Sequence, residues 1–335
     1  MSKLKSVLLL AVVVLVAVTA TACGSQTDAA SNKPTGPLTI GINEWPGFGI
    51  LKIAEVKGFF QQEGVDVELV PFDAPNQTTQ AFAEKRLDGF VSTISDAVAQ
   101  AAAGIPVQVI WLVDQSLGGD VLVAKGVENV ADLRGKRIGV AFGTFGHVFT
   151  SVLLQEAGLD ASEVSIVSLD PVEIPGALEA GIIDAGYTYD PFLQQAVQNG
   201  AVILGSSADM PGIVIDVISF QKGSIDADPD RVGRFIRAIS AAQAWWAENP
   251  DEGNAIVGEW MRLTAADIAA SMPLMRLYSA ADNLAAMDPA SQDSSSAYRG
   301  AQFALDTFMQ AGLIEEPVDL QTIINPSFVQ SLLSR

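Results

Sequence analysis

The 335-residue chain has very few of the side chains that bind metals or nucleic acids. It contains one Cys and one His, which excludes a disulfide framework, a cysteine-ligated metal site and a two-histidine HExxH zinc site. Its 19 Lys and Arg stand against 39 Asp and Glu, and the formal net charge of −20 argues against a nucleic-acid partner, because a phosphate backbone requires a basic face. Hydrophobic residues make up 49% of the chain, which excludes a disordered protein and favours about two domains.

The N-terminus has the pattern of a secretory signal over residues 1–22. Two lysines precede an unbroken apolar run at residues 7–18, and small residues then lead to Cys23. A membrane-spanning anchor is the less favoured alternative, because the run is shorter than the ~20 residues that cross a bilayer. The segment at residues 20–24 resembles the lipobox of bacterial lipoproteins, although Ala20 stands where Leu is commoner. The resemblance implies acylation of Cys23, whereas an ordinary cleaved signal is the alternative.

Residues 23–37 are polar, rich in Gly, Ser and Pro, and without periodicity. This composition predicts a flexible tether with a reach of roughly 20 Å. We therefore expect the folded part of the protein to lie outside the cytoplasm, anchored by lipid close to the cell membrane.

From residue 38 onward the chain alternates short apolar strands with helices, which predicts an α/β fold with largely parallel sheets. A β-α-β-α-β order that begins at Leu38 recurs from Arg137. Two apolar stretches, Val107–Val113 and Ile213–Phe220, are expected to connect the two halves as crossing strands. The C-terminal part is expected to be helical, with helices over residues 229–248, 264–287, 296–311 and 318–333.

Four predicted strands end in loops that precede helices: Asn43–Gly47, Thr93–Asp96, Phe142–His147 and Tyr189-Asp190. Ligands of such sheets bind beyond the carboxyl ends of the strands, and helix N-termini offer unpaired backbone N–H donors there. Donor clusters that face one another across a cleft would form a binding site without catalytic chemistry. We therefore predict no catalytic residue, no metal site and no cofactor.

Six motifs in order resemble a known family. They are Trp45-Pro46-Gly47, Gly58-Phe59-Phe60 with Glu63-Gly64-Val65, Asp88, Asp132–Gly139, Gly143–His147 and Tyr189-Asp190-Pro191. With these motifs the chain resembles the nitrate, sulfonate, taurine and thiamine-pyrimidine group of ABC-transporter substrate-binding proteins. The likeness covers about residues 38–220 well and the helical end loosely.

The resemblance implies a two-lobed periplasmic-binding-protein fold of the second type. Lobe 1 would comprise residues 38–115 and 217–335, with the C-terminal helices packed on it, and lobe 2 would comprise residues 116–216. The resemblance further implies delivery of a small-molecule solute to the permease and ATPase subunits of an importer, and we expect a monomer.

Aromatic and hydroxyl side chains are the first candidates for ligand contact. Trp45 and Tyr189 could contact a planar ligand from opposite lobes, although Trp45 could instead only pack against the following proline. Thr93, Ser95 and Thr144 stand at predicted helix starts, where each hydroxyl could cap its helix, bind a ligand, or do both.

Polar side chains near strand ends and crossings are the second group of candidates. Asn43 follows the first strand, and Asp114, Asp190 and Asp216 lie at or near the crossings, where they could bind ligand or only cap the neighbouring chain. His147 could form a hydrogen bond to a ligand, or it could be a structural histidine.

The distribution of charged residues along the chain indicates the charge of the ligand. Residues 138–221 contain ten Asp or Glu and no Lys or Arg. We therefore favour a neutral or weakly cationic planar heterocycle, of the pyrimidine or flavin kind. An alkyl sulfonate, taurine or nitrate is the alternative, because helix N-termini bind anions without a basic residue.

Two other functions are weighed against import. A sensory module that presents its ligand-bound form to a receptor would use the same lobes. A pyrimidine-synthesis enzyme of the same fold is disfavoured, because the family resemblance implies a cysteine-rich segment for such enzymes and the chain has one Cys. The chain also has no recognisable nucleophile and base pair.

Overall fold

The computed structural model of the protein describes residues 36–334. The expected signal, Cys23 and most of the expected tether lie outside these residues, so those expectations remain predictions. Between residues 36 and 334, no helix is both long enough and apolar enough to cross a membrane.

The strands are short, and most are buried. They are β1 Leu38–Ile42, β2 Val67–Pro71, β3 Gly89–Thr93, β4 Val107–Ser116, β5 Asp120–Ala124, β6 Arg137–Val140, β7 Ser165–Ser168, β8 Ala185–Tyr189, β9 Val202–Ser206, β10 Ile215–Gln221 and β11 Met275–Leu277.

The helices lie between the strands and fill the C-terminal part. They are α1 Gly49–Val56, α2 Phe59–Gln62, α3 Pro75–Ala83, α4 Ile94–Ala102, α5 Phe145–Glu156, α6 Ile174–Glu179, α7 Phe192–Gln198, α8 Lys222–Ala227, α9 Pro229–Glu248, α10 Pro250–Met261, α11 Ala265–Ser271, α12 Ala280–Ala286, α13 Ala297–Gln310, α14 Leu320–Ile323 and α15 Ser327–Leu333.

The strands form two sheets with the same central arrangement. The first has the order β11-β4-β10-β3-β1-β2, and the second has the order β7-β6-β8-β5-β9. In the first, β1 runs parallel to β2 and β3, and β10 lies antiparallel to β3. In the second, β6 runs parallel to β7 and β8, and β5 lies antiparallel to β8. The α/β class is therefore confirmed, and the repeated strand order expected from the sequence is present in both sheets.

Two short connections link the sheets, and we call each sheet with its helices a lobe: lobe 1 contains β1–β4, β10 and β11, and lobe 2 contains β5–β9. The chain leaves lobe 1 after Ser116 and returns before Ile215. The Ser116 and Ser207 hydroxyl oxygens are 2.8 Å apart, and Ser207 Oγ also accepts the N–H of Gly118 at 2.8 Å. These hydrogen bonds tie the outgoing and returning connections together.

The long helix α9 has the boundaries and buried face that its sequence predicts. The Asp228 carboxylate accepts the backbone N–H of Arg231 at 3.1 Å and so caps the N-terminus. Val232 and Phe235 are buried on the inner face, and the Phe235 ring packs against Phe220 of β10 with centroids 5.4 Å apart. α9 therefore buries its apolar stripe on the sheet of lobe 1.

Two of the predicted C-terminal helices are wrong, because each is divided into two helices in the structure. The helix expected over residues 264–287 is divided into α11 and α12 by β11, because Pro273 ends the helical stretch and the next residues pair antiparallel with β4. The helix expected over residues 318–333 is likewise divided, because Pro326 separates α14 from α15.

Candidate functional site

A cavity of about 60 Å³ lies beyond the carboxyl ends of β1, β3, β6 and β8, and both lobes line it. From lobe 1 the lining residues are Asn43, Trp45, Phe48, Pro75, Asn76, Ser92, Thr93, Asp96 and Asp216. From lobe 2 they are Asp120, Ala141, Thr144, Phe145, Gly146, Asp170, Pro171, Tyr187 and Tyr189. The lining combines aromatic rings, hydroxyls, amides and carboxylates, and it includes no Lys, Arg or His.

Aromatic side chains from the two lobes meet at this cavity. The rings of Trp45 and Tyr189 are perpendicular, with centroids 5.8 Å apart. Tyr189 also contacts the edge of Tyr187, at a centroid distance of 6.1 Å. An edge-to-face pair of this kind contributes about 0.5–1.5 kcal/mol beyond its area burial. The two lobes are therefore in direct aromatic contact at the cavity.

The position of Trp45 depends on a buried carboxylate and on two glycines. Its indole N–H donates to Asp114 Oδ2 at 3.1 Å, and Asp114 is completely buried. A Cβ added at Gly47 would overlap that same oxygen, and one added at Gly119 would lie 2.5 Å from Trp45 Cη2. The absence of a side chain at both positions is thus required for this placement of the indole.

Four buried aspartates lie at or just beneath the cavity surface. Asp114 and Asp216 are directly opposite each other on β4 and β10. Burial raises the pKa of both carboxyls, and the negative charge of Asp114 raises the pKa of Asp216 further. Burial also raises the pKa of Asp120 to about 6, although the Tyr187 hydroxyl donates to its carboxylate, and raises that of Asp96 to about 6. The site therefore binds protons more readily than exposed carboxylates do.

Two hydroxyls at helix starts also line the cavity. Thr93 caps α4 in a capping box with Asp96, and its hydroxyl oxygen is 2.6 Å from that of Ser95. Thr144 is the N-cap residue of α5, but its hydroxyl donates to the carbonyl of Ala141 at 2.8 Å instead of capping the helix through its side chain. The backbone N–H groups at the start of α5 therefore have no side-chain cap.

The structure brings six of the ten candidate residues to the cavity surface. These are Asn43, Trp45, Thr93, Thr144, Tyr189 and Asp216. The other four, Ser95, Asp114, His147 and Asp190, do not line it.

Each of these four residues contacts another part of the protein. Ser95 pairs with Thr93, and Asp114 lies behind Trp45. Asp190 accepts a hydrogen bond from the hydroxyl of Ser271, which belongs to lobe 1, at 2.7 Å. The ring of His147 packs edge-on against Phe142 at 4.8 Å, and burial lowers its pKa.

Several lining residues were not among the candidates. Asp120 begins β5 instead of ending a strand, so a search of strand ends passes over it, although an acid directly before the apolar run Val121–Ala124 is a usable signal. Asn76 Nδ2 donates to Asp170 Oδ2 at 3.2 Å across the cleft. This pairing of residues 94 positions apart has no sequence signal that we recognise. Within residues 36–334 no group of three or more His, Cys, Asp and Glu side chains could hold a metal ion.

Two α/β sheets joined by two connections around a shared cavity define the class of protein. Among solved structures, the periplasmic aliphatic sulphonate-binding protein of Escherichia coli is similar, with a TM-score of 0.68, 19% identity, and coverage of 86% of this chain and 97% of that chain. The nitrate-binding protein of Synechocystis has a TM-score of 0.74, 14% identity, and coverage of 90% and 89%. The fold is that of the periplasmic binding proteins.

Residues 45–253 match the NMT1/THI5-like family model, and the chain belongs to this family. A putative aliphatic sulfonates-binding protein of Bacillus subtilis is 27% identical, over 98% of this chain and 96% of that protein. The riboflavin-binding protein RibY of Chloroflexus aurantiacus is 25% identical, over 75% of this chain and 77% of that protein. Both relatives are binding proteins by name, and their named ligands differ in charge and size.

Proposed function

We propose that this protein is the extracytoplasmic solute-binding component of an ABC importer. It binds a small organic solute in the cavity between the lobes and delivers it to permease and ATPase subunits, without chemical change. The observation that carries the proposal is the cavity lined by both lobes, with Trp45 and Tyr189 in contact across it. Family membership and the binding-protein relatives support it.

The solute we favour is a planar heterocycle. Trp45, Tyr187 and Tyr189 offer flat apolar surfaces, while carboxylates and amides offer acceptors for the N–H groups of a ring. We therefore favour a ring of the pyrimidine or flavin kind.

A sulfonate, taurine or nitrate is the second candidate. The name of the Bacillus subtilis relative and the uncapped N-terminus of α5 at the cavity favour it, because backbone N–H groups at helix starts bind oxyanions. Such an anion would lie in the same cavity as Asp120, whose carboxylate repels it when ionised.

The anchor is proposed from sequence alone. Acylation of Cys23 would hold the protein at the membrane, since each buried methylene contributes about 0.8 kcal/mol. A Cys23→Ser variant should be recovered in the soluble fraction without lipid label, and a variant that remains membrane-bound and labelled would contradict the proposal.

Titration calorimetry with a panel of pyrimidines, flavins, taurine, alkyl sulfonates and nitrate tests solute binding, and small-angle scattering tests compaction. We expect one class to bind with a one-to-one stoichiometry.

Loss of solute uptake on deletion of the gene would support import, whereas intact uptake with loss of a signalling response would favour a sensory module. Absence of binding across the panel, or turnover of a bound solute, would contradict the proposal.

A further inference from the structure

The carboxyl group of Asp216 indicates the charge of the solute. Asp216 lines the cavity, is 5% exposed, and faces Asp114 on the neighbouring strand. Among the described residues, no N–H group and no hydroxyl donates to the Asp216 side chain, whose partner is the Asp114 carboxyl. Asp216 is therefore a buried acceptor at the cavity whose side-chain partner among the described residues is another acid.

The other carboxylates of the cavity already accept hydrogen bonds. Asp120 accepts from the hydroxyl of Tyr187, Asp96 accepts from Thr93, and Asp170 accepts from the side-chain amide of Asn76. A ligand donor would find these oxygens partly occupied. Asp216 is accordingly the carboxyl that a ligand can use at the smallest cost in lost protein hydrogen bonds.

The groups that face Asp216 are acidic or neutral on every element packed against it. β4 contributes Asp114, the start of β5 contributes Asp120, and α4 contributes Asp96. β8 contributes the phenols of Tyr187 and Tyr189. β3 contributes the uncharged Thr93 as the pairing partner of Asp216. Two facing buried carboxyls cannot both ionise without a large repulsion, so the Asp114 and Asp216 pair retains at least one proton near neutral pH.

We propose that the solute binds as an organic cation, a protonated amine or amidine-type heterocycle whose N–H groups donate to Asp216 and displace the proton that this carboxyl shares with Asp114. The inference deepens the proposed function and rests on it. In its singly protonated form, the empty pair carries one negative charge. The occupied pair carries two negative charges beside one positive ligand, and the displaced proton goes to solvent. The positive ligand lowers the pKa of the carboxyl pair, so the proton leaves as the cation enters and the net charge of the buried group stays the same.

Calorimetry of the intact protein in two buffers of different ionisation enthalpy measures the displaced proton. The probes are 4-aminopyridine, which is protonated from pH 5 to 8, aniline, which has the same shape without the charge, and ethanesulfonate as the anion. We expect 4-aminopyridine to bind at least about tenfold more tightly than either of the others, with release of about one proton per ligand at pH 6.5. Its affinity should rise with pH, since protons compete with the cation for the carboxyl pair.

Two variants separate a specific role of Asp216 from the general negative charge. Asp216→Asn should abolish proton release and reduce the preference for 4-aminopyridine over aniline to less than about threefold. Glu128→Gln removes one exposed charge from lobe 2 and should leave both quantities unchanged. A thermal unfolding transition like that of the unmodified protein verifies that Asp216→Asn is folded.

The outcomes separate this inference from the proposed function. Binding of ethanesulfonate in preference to 4-aminopyridine, or binding of the cation without proton release, would overturn the inference and leave solute binding intact. Absence of binding by these three probes and by the whole wider panel would overturn both.

Discussion

The indole of Trp45 meets the phenol ring of Tyr189 edge to face, at a centroid distance of 5.8 Å and an interplanar angle of 90°. Trp45 follows a strand of lobe 1, whereas Tyr189 ends a strand of lobe 2. A change in the separation of the lobes must therefore change this contact. The distance and angle between the two rings at the cavity therefore depend on how far the lobes are apart.

Removing the indole N–H should destabilise the protein more than the loss of ring area suggests. Trp45→Phe leaves Asp114 Oδ2 buried without its donor, and we expect a loss of about 1–3 kcal/mol in the free energy of unfolding, measured by urea denaturation. Trp260→Phe, at a partly exposed tryptophan, should change it much less. Equal effects of the two substitutions would show that the hydrogen bond to Asp114 is unimportant.

A methyl group at Gly47 should also disturb the hydrogen bond between Trp45 and Asp114. The added Cβ would overlap Asp114 Oδ2, so Gly47→Ala should lower the free energy of unfolding by about 1–3 kcal/mol and weaken solute binding. Gly223→Ala, in the helix α8, meets no atom within 4 Å and should be neutral or slightly stabilising. Urea denaturation of both variants tests this, and a neutral Gly47→Ala would contradict it.

The sequence predicts the parts of this molecule that depend on local patterns. Trp45, Thr93 and Tyr189 could be found because each stands at the carboxyl end of an apolar strand, which is where such sheets bind ligands. The direction of a side chain within a loop has no comparable signal. His147, on the first turn of α5, therefore packs on Phe142 instead of lining the cavity.

Long-range contacts account for the rest of what the sequence did not reveal. The contact of Asn76 with Asp170 depends on how the two lobes meet. The strand β11 forms because Met275–Leu277 reach the free edge of β4, and its helical periodicity is overridden by that pairing and by Pro273. Pairing partners far apart in the chain are set by the assembled sheet, which composition does not encode.

The buried acids should make the protein more stable in mild acid than at neutral pH. The pKa of Asp96 and that of Asp120 are raised from 3.8 to about 6 in the folded protein, so the folded state binds more protons than the unfolded state between about pH 4 and 6. The free energy of unfolding should therefore rise as the pH falls from 7.5 to 4.5, by about 2 kcal/mol for each such group.

Urea denaturation at pH 7.5, 5.5 and 4.5 measures this dependence. Below about pH 4 the trend should reverse, because carboxylates with a lowered pKa, such as that of Asp184 beside Arg137, lose their partners on protonation. Asp96→Asn should reduce the rise in the free energy of unfolding between pH 7.5 and 4.5, to which Asp120 still contributes. A stability that decreases steadily from pH 7.5 to 4.5 would contradict the assignment of buried carboxyls.

The hydrogen bond between Asn76 and Asp170, one residue from each lobe, should favour the conformation in which the two lobes are in contact. Asn76→Ala removes the donor to Asp170, and we expect solute affinity to fall about two- to tenfold, because such a bond contributes about 0.5–1.5 kcal/mol. Asn199→Ala removes a bond to Glu179 within lobe 2 and serves as the control. Calorimetry compares the two, and equal affinities of the Asn76→Ala variant and the unmodified protein would exclude a contribution to closure.

The most direct test of the account is a crystal structure of the intact protein with the solute that binds most tightly in the calorimetric panel. We expect density for that solute between the lobes, in contact with Trp45 and Tyr189, with a nitrogen donor within hydrogen-bonding distance of Asp216. A solute bound outside the cleft, or one that reaches neither aromatic ring, would contradict the assignment of the cavity as the binding site.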